Sequence, residues 1–207
     1  MHISEGILSP GILIAGAGLA AAGVAVGVRK LENKEIPSVG ILSAAFFVAT
    51  LIHVPVGPAS VHLVLNGMLG LILGWKAFPA ILVGLALQAI LFQFGGITTL
   101  GVNTLNMALP AVVCYYLFKW GVGTGARRSV LVGSAFACGC CAIFLNALLV
   151  GFSLYLTGEA FLPAAKLLVA VHLPIMLIEG CLTASCVLFL RKVKPELLRG
   201  NHVWESS

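Results

Sequence analysis

The sequence predicts an all-α membrane protein of seven transmembrane helices, with the N-terminus outside and the C-terminus inside. Three observations carry that expectation. The 207 residues are 60% hydrophobic and only 9% charged, with a mean hydropathy of +1.09, whereas a soluble domain carries about 25% charged residues. Long uncharged runs recur along the chain at lengths that fit one or two crossings of roughly 20 residues each. With the N-terminus outside, eleven of the twelve Lys and Arg fall in the inner segments, the exception being Lys166, as the positive-inside rule requires.

Taken in order, Ile7–Val28, Ser129–Gly158 and Leu167–Leu190 each read as one helix. Ile36–Trp75 and Ala77–Phe118 are about twice a span, and each is interrupted by turn formers, "VPVGP" (54–58) and "GGITTLG" (95–101). Each run therefore divides into two helices. On this reading His53 ends the second helix, and His62 lies about four residues into the third with Asn66 one turn below it on the same face. The inner segments are 29–35, the Trp75–Lys76 turn, 119–128 and the tail after 190. Residues 1–207 form a single seven-helix domain, with no soluble domain, linker or 20–50-residue repeat.

The net charge of +5 reflects this topological bias and gives no reason to expect nucleic acid. No Walker A motif or nucleotide fingerprint occurs, so ATP-driven work requires partner chains. Neither an HExxH pair nor an activated nucleophile is present, which argues against an intramembrane hydrolase. The halves show no inverted symmetry of the kind a secondary carrier suggests. Six cysteines (114, 138, 140, 141, 181, 186) all fall in predicted helices. The "CGCC" at 138–141 lacks CxxC spacing and reads as soft packing. Gly23-xxx-Gly27 and Gly70-xxx-Gly74 permit close helix approach.

Ionisable groups within spans are costly and therefore candidates for function. They are His53, His62, His172 and Glu179. His172 and Glu179, in "VAVHLPIMLIEG", are seven residues apart and share a helix face, where an internal polar clamp is one reading and a functional site the other. His62 reads either as a histidine bonded to a backbone carbonyl or as a ligand near the outer surface. The opening "MHISEGILSP" lacks the basic n-region of a signal peptide, its only charge before Arg29 being Glu5. A retained Met1 amine and the His2 peptide nitrogen close a five-membered chelate. His2 Nδ1 and the same peptide nitrogen close a six-membered one. Three nitrogens then share a plane with one position open, a geometry that selects Ni(II) or Cu(II) over tetrahedral Zn(II). His62 above all is placed to fill the fourth position.

The segments "MHISEGILSP", "VPVGPASVHLVLNGMLGLILG", "LALQAILFQFGGITTLGVNTLNMALP" and "VHLPIMLIEGCLTA", in that order, resemble the CbiM/NikM family. These are the substrate-binding S-components of energy-coupling factor transporters for cobalt and nickel. The resemblance implies a seven-helix component of a prokaryotic cell membrane whose extra first helix delivers the N-terminus into the metal site. It implies metal ligands from Met1, His2 and His62, with His53 and Asn66 nearby and Asn103 and Asn106 in the loop and helix start that cover the site. His172 and Glu179 match a shared motif without an assigned role. The partners implied are a transmembrane T-component, two ATPases and a small accessory membrane subunit, within membrane lipid. Ala45-xxx-Ala49 is the expected docking face, with Ala17-xxx-Ala21 as its rival. Cobalt-type members usually read "PVPGGTSGHL" at the elbow, whereas this chain reads "PVGPASVHL". The expected cargo is therefore Ni(II), and the alternative is a Co(II) counterpart feeding cobalamin synthesis.

Overall fold

The structure is a computed structural model that describes residues 2–51, 53–56, 59–122, 127–194 and 198, with backbone alone at 53–56 and 59–61. Among them the chain is nearly all helical. The α-helices are α1 (Pro10–Arg29), α2 (Ile36–Ala49), α3 (Asn66–Leu73), α4 (Ala77–Phe92), α5 (Leu100–Gly121), α6 (Arg128–Thr157) and α7 (Leu162–Val193). Prolines occupy the first turns of α1, α2 and α7, where the missing N–H has no intrahelical partner to lose.

Five helical stretches are long and apolar enough to cross a membrane: Pro10–Arg29, Asn66–Phe92, Leu100–Gly121, Arg128–Thr157 and Glu159–Val193. The chain is a multi-pass membrane protein. Three of the seven expected helices, α2, α3 and the 16-residue α4, fall short of a span by themselves. The 14 residues of α2 reach about 21 Å, against a hydrocarbon core of about 30 Å. The 8 residues of α3 qualify only when joined to α4 through a 3-10 turn at Gly74–Lys76, where Gly74 takes φ +55°.

The elbow is the clearest departure from the sequence reading. His53 does not end a helix and His62 does not sit inside one. They lie in an antiparallel hairpin, β1 (His53–Val56) and β2 (Ala59–His62), with the register His53↔His62, Val54↔Val61, Pro55↔Ser60 and Val56↔Ala59. Asn66 correspondingly opens α3 rather than lying a turn below His62. The reason is tertiary. A helix through this segment would send the N–H groups of Val64 and Leu65 to the carbonyls of residues 60 and 61. Both instead donate to the carboxylate of Glu179, far along the chain. Leu65 then takes a left-handed conformation (φ +54°) as the residue before α3.

Helix α5 packs against α1, α3, α4 and α6, and α6 pairs with α7. Small residues set the spacings, as expected where helices meet without a hydrophobic drive. A Cβ added at Gly70 would stand 2.1 Å from the Ala111 carbonyl oxygen, and one at Gly139 would stand 2.8 Å from Gly180 Cα. The α6–α7 pair thus runs antiparallel, which places Arg128 and Arg191 at the same end. That end also holds the C-terminus of α1 and the Gly74–Lys76 turn. Lys30 Nζ lies 5.8 Å from the Trp75 ring, Trp75 Nε1–H donates to Tyr116 Oη (2.9 Å), and Lys76 pairs with Glu35. His2 precedes the opposite end of α1, whose 20 residues separate it from the basic cluster by about 30 Å.

Candidate metal centre

The site is built from three segments that are remote in sequence: the N-terminal residues, the hairpin with its exit at 63–65, and the loop between α4 and α5. His2 and His62 meet there. Their rings lie 4.5 Å apart, centroid to centroid, with 31° between planes, and each residue is only 3% exposed. The Nδ1 of His62 lies 2.8 Å from the Leu63 carbonyl oxygen. A carbonyl can only accept, so Nδ1 carries the proton and Nε2 presents the lone pair, the tautomer a metal ligand needs.

His2 is positioned through its neighbour. The Ile3 N–H donates to Asn103 Oδ1 (2.9 Å), while Asn103 Nδ2 donates to the Ile3 carbonyl (3.1 Å) and to Thr99 Oγ1 (3.2 Å). Asn103 pairs with both the N–H and the carbonyl on one edge of Ile3, as a neighbouring strand would. Glu5 adds a second tie, accepting from the Thr98 N–H at 3.3 Å. Between these anchors the loop approaches so closely that side chains are excluded. A Cβ at Gly95 (φ +76°) would meet Asn103 Nδ2 at 3.0 Å and His2 Cβ at 3.5 Å. One at Gly96 (φ +130°) would stand 2.7 Å from Glu5 Cβ. The "GG" of the loop is therefore part of the site's construction.

Beneath the histidines lies Glu179, 0% exposed. Its Oε1 accepts from the N–H groups of Val64 (2.5 Å) and Leu65 (2.9 Å), and its Oε2 lies 3.1 Å from the latter. His172, also fully buried, gives its Nδ1–H to the Leu168 carbonyl (2.6 Å), and its Nε2 has no hydrogen-bond partner among the described residues.

The expected site residues divide accordingly. His2, His62 and Asn103 come together, and Glu179 reaches the strand exit that follows His62. Asn66 donates from Nδ2 to the Met107 carbonyl (3.3 Å) and ties α3 to α5. Asn106 turns away, donating to Ser153 Oγ on α6 (3.4 Å). His53 stands opposite His62 in the ladder, and its side chain lies outside the described residues, as does all of Met1. Among the described residues no group of three His, Cys, Asp or Glu side chains is placed to hold a metal by itself. Sequence reading passed over Glu5 and Thr99, whose roles appear only when the loop is folded. The paired glycines at 95–96 were the available signal.

Comparison with known proteins agrees with this architecture. A metal transport protein of Haemophilus influenzae, described as "Putative metal transport protein", is 44% identical over 96% of this chain and 97% of its own length. The fused nickel transport protein NikMN of Rhodobacter capsulatus is 33% identical over 96% of this chain, which spans 64% of that longer protein. The cobalt transport protein CbiM of Sorangium cellulosum is 30% identical, with 96% and 94% of the two chains covered. A crystal structure of a transition metal transporter superposes with a TM-score of 0.78 at 25% identity, covering 98% of each chain. The model of the CbiM family, described as the cobalt uptake substrate-specific transmembrane region, matches residues 2–197, and the chain belongs to that family.

Proposed function

We propose that the chain captures a transition-metal dication, Ni(II) in first place, and carries it across the cell membrane as the substrate-binding subunit of an ATP-driven transporter. The observation that carries this reading is the closed His2–His62 pair. Two imidazoles bound at right angles to one ion, at a metal–nitrogen distance of about 2.0–2.1 Å, bring their ring centroids to about 4.5 Å. The rings of His2 and His62 stand at that separation. The remaining positions fall to the Met1 amine and the His2 peptide nitrogen, which together with His2 Nδ1 make the fused planar chelate. His62 Nε2 closes the plane. Relatives named for nickel and for cobalt both align over 96% of the chain, so the preference for nickel rests on the elbow sequence and the planar donor set.

The orientation that fits is N-terminus outside. The His2–His62 pair and the lysine cluster occupy opposite ends of α1, so the site opens outward when the basic end faces the cytoplasm. Seven passes follow if the exit segment 63–65 and α3 together make the third, with the hairpin and α2 completing the second. Transport would engage a T-component and two ATPases, with a small accessory membrane subunit. On α2, Ala45 is exposed beside Ile41 and Val48, an unoccupied apolar face for the T-component that continues to Ala49. The rival face on α1 is partly used, because Gly101 of α5 abuts the main chain of Ala17.

The test is metal analysis of the protein purified with an unmodified N-terminus, followed by Ni(II) and Co(II) titration with absorption spectroscopy. One equivalent of Ni(II), yellow and diamagnetic, is expected. A six-coordinate, weakly held ion would overturn the planar nitrogen site, and tighter binding of Co(II) would reassign the cargo.

A further inference from the structure

We infer that Glu179 is the fixed counter-charge of the cargo site, a carboxylate that never touches the ion but makes the loaded site neutral while holding the strand that bears His62. The inference rests on the coordination reading above. Three features of Glu179 lead to it. It is wholly buried in the middle of an apolar helix, where an isolated charge is expensive. Both of its oxygens act as acceptors toward backbone N–H groups, which is the role of the ionised form. Among the described residues its charge meets no lysine or arginine, since the ion pairs found there, Lys34–Glu32 and Lys76–Glu35, lie at the basic end. A buried carboxylate that pairs with no lysine or arginine among the described residues is balanced by a cation of another kind.

The geometry identifies which cation. Val64 Cα lies within about 7.6 Å of His62 Cα, the reach of two peptide units, and Glu179 Oε1 sits on the Val64 N–H. The carboxylate is thus one short strand segment from the donor atoms, does not join the two histidines in a metal-holding group, and can act through a low-dielectric interior. The charges then close. A divalent ion contributes two positive charges, the ionised His2 peptide nitrogen removes one, and Glu179 removes the other. With glutamine at 179 the loaded site would retain one net positive charge in the bundle. The same residue also orients the site. Its two N–H contacts hold Leu65 in the left-handed turn from which the strand returns to His62, so position and charge are supplied by one side chain and can be separated by substitution.

The experiment compares the full chain, with unmodified N-terminus, to Glu179→Gln and Glu179→Ala by Ni(II) titration, absorption spectroscopy and thermal unfolding. Glutamine keeps an oxygen acceptor for the strand and loses only the charge. The expected result is a wild-type Ni(II) spectrum with affinity lowered on the order of 10–100-fold, the range of outer-shell substitutions. Alanine removes the anchor as well, and should alter the spectrum together with the affinity. Wild-type affinity in Glu179→Gln would overturn the counter-charge, leaving a hydrogen-bond anchor. A changed spectrum or failure to fold in that variant would overturn it equally, because position would then be the whole effect. Failure of the coordination reading is seen separately, as the absence of a planar Ni(II) spectrum in the unsubstituted chain.

Discussion

The Asn103 side chain pairs with both main-chain polar groups of Ile3, accepting the N–H at 2.9 Å and donating to the carbonyl at 3.1 Å. The residue just ahead of this clasp is His2. A side chain on a rigid helix thereby fixes the register of a terminal segment that would otherwise fray. Asn103→Ala should leave the helices intact and lower Ni(II) affinity by roughly 10–100-fold, mostly through faster dissociation. Stopped-flow release into a chelator checks this.

Insertion of one Ala between Met1 and His2 keeps every side chain but destroys the fused five- and six-membered chelate. Binding should be lost, and calorimetric titration of the untagged variant measures it. Retention of wild-type affinity would rule out the terminal amine as a ligand.

The histidines should separate sharply. On the proposed coordination His62→Ala removes a planar donor, and the Ni(II) complex should become paramagnetic and weak. His53→Ala and His172→Ala should keep the spectrum, with at most about 10–100-fold loss of affinity. Absorption spectra and magnetic susceptibility of the three variants decide the assignment.

Acid should weaken binding in a particular window. An ordinary α-amine titrates at about 7.7–8.0 and an imidazole at about 6.5, and ligation requires both kinds of group deprotonated. On the proposed coordination, affinity should therefore fall steeply from about pH 8 to pH 6, with more than one proton released per metal bound. A flat profile in titrations across that range would point to a carboxylate site instead.

Packing offers a test independent of metal. A methyl group at Gly70 would be forced to within 2.1 Å of the Ala111 carbonyl oxygen. Gly70→Ala should destabilise the bundle by about 1–3 kcal/mol, the usual cost of overpacking. Gly40→Ala, where nothing lies within 4 Å, should not. Thermal unfolding in detergent compares them.

Much of this was legible in the sequence because hydropathy and charge are local quantities. The long helices α1, α4, α5, α6 and α7 fall where the uncharged runs place them, and the pairing of His2 with His62 followed from two separate motifs. What stayed hidden depended on partners remote in sequence. A helix through His62 was a fair reading of "ASVHLVLNG" while the donors of Val64 and Leu65 were assumed to bond locally. Only the Glu179 carboxylate, 115 and 114 residues away, makes the extended path affordable. Asn106 failed for a related reason. Its spacing puts it near Asn103 on α5, but the three-residue step swings its amide toward Ser153 on α6.

The long reach of the Glu179 contacts bears on the order in which the molecule can be assembled. As the chain emerges, the spanning stretches ahead of α7 can insert from their own apolarity, yet the exit strand from the hairpin has no lasting acceptor for its N–H groups until α7 arrives. In hydrocarbon such groups cannot wait unpaired. The pocket around the His2–His62 pair is accordingly the last part of the molecule to mature, although His2 is among the earliest residues made. A chain ending before α7 would hold both histidines and lose the anchor that sets the strand of one against the other.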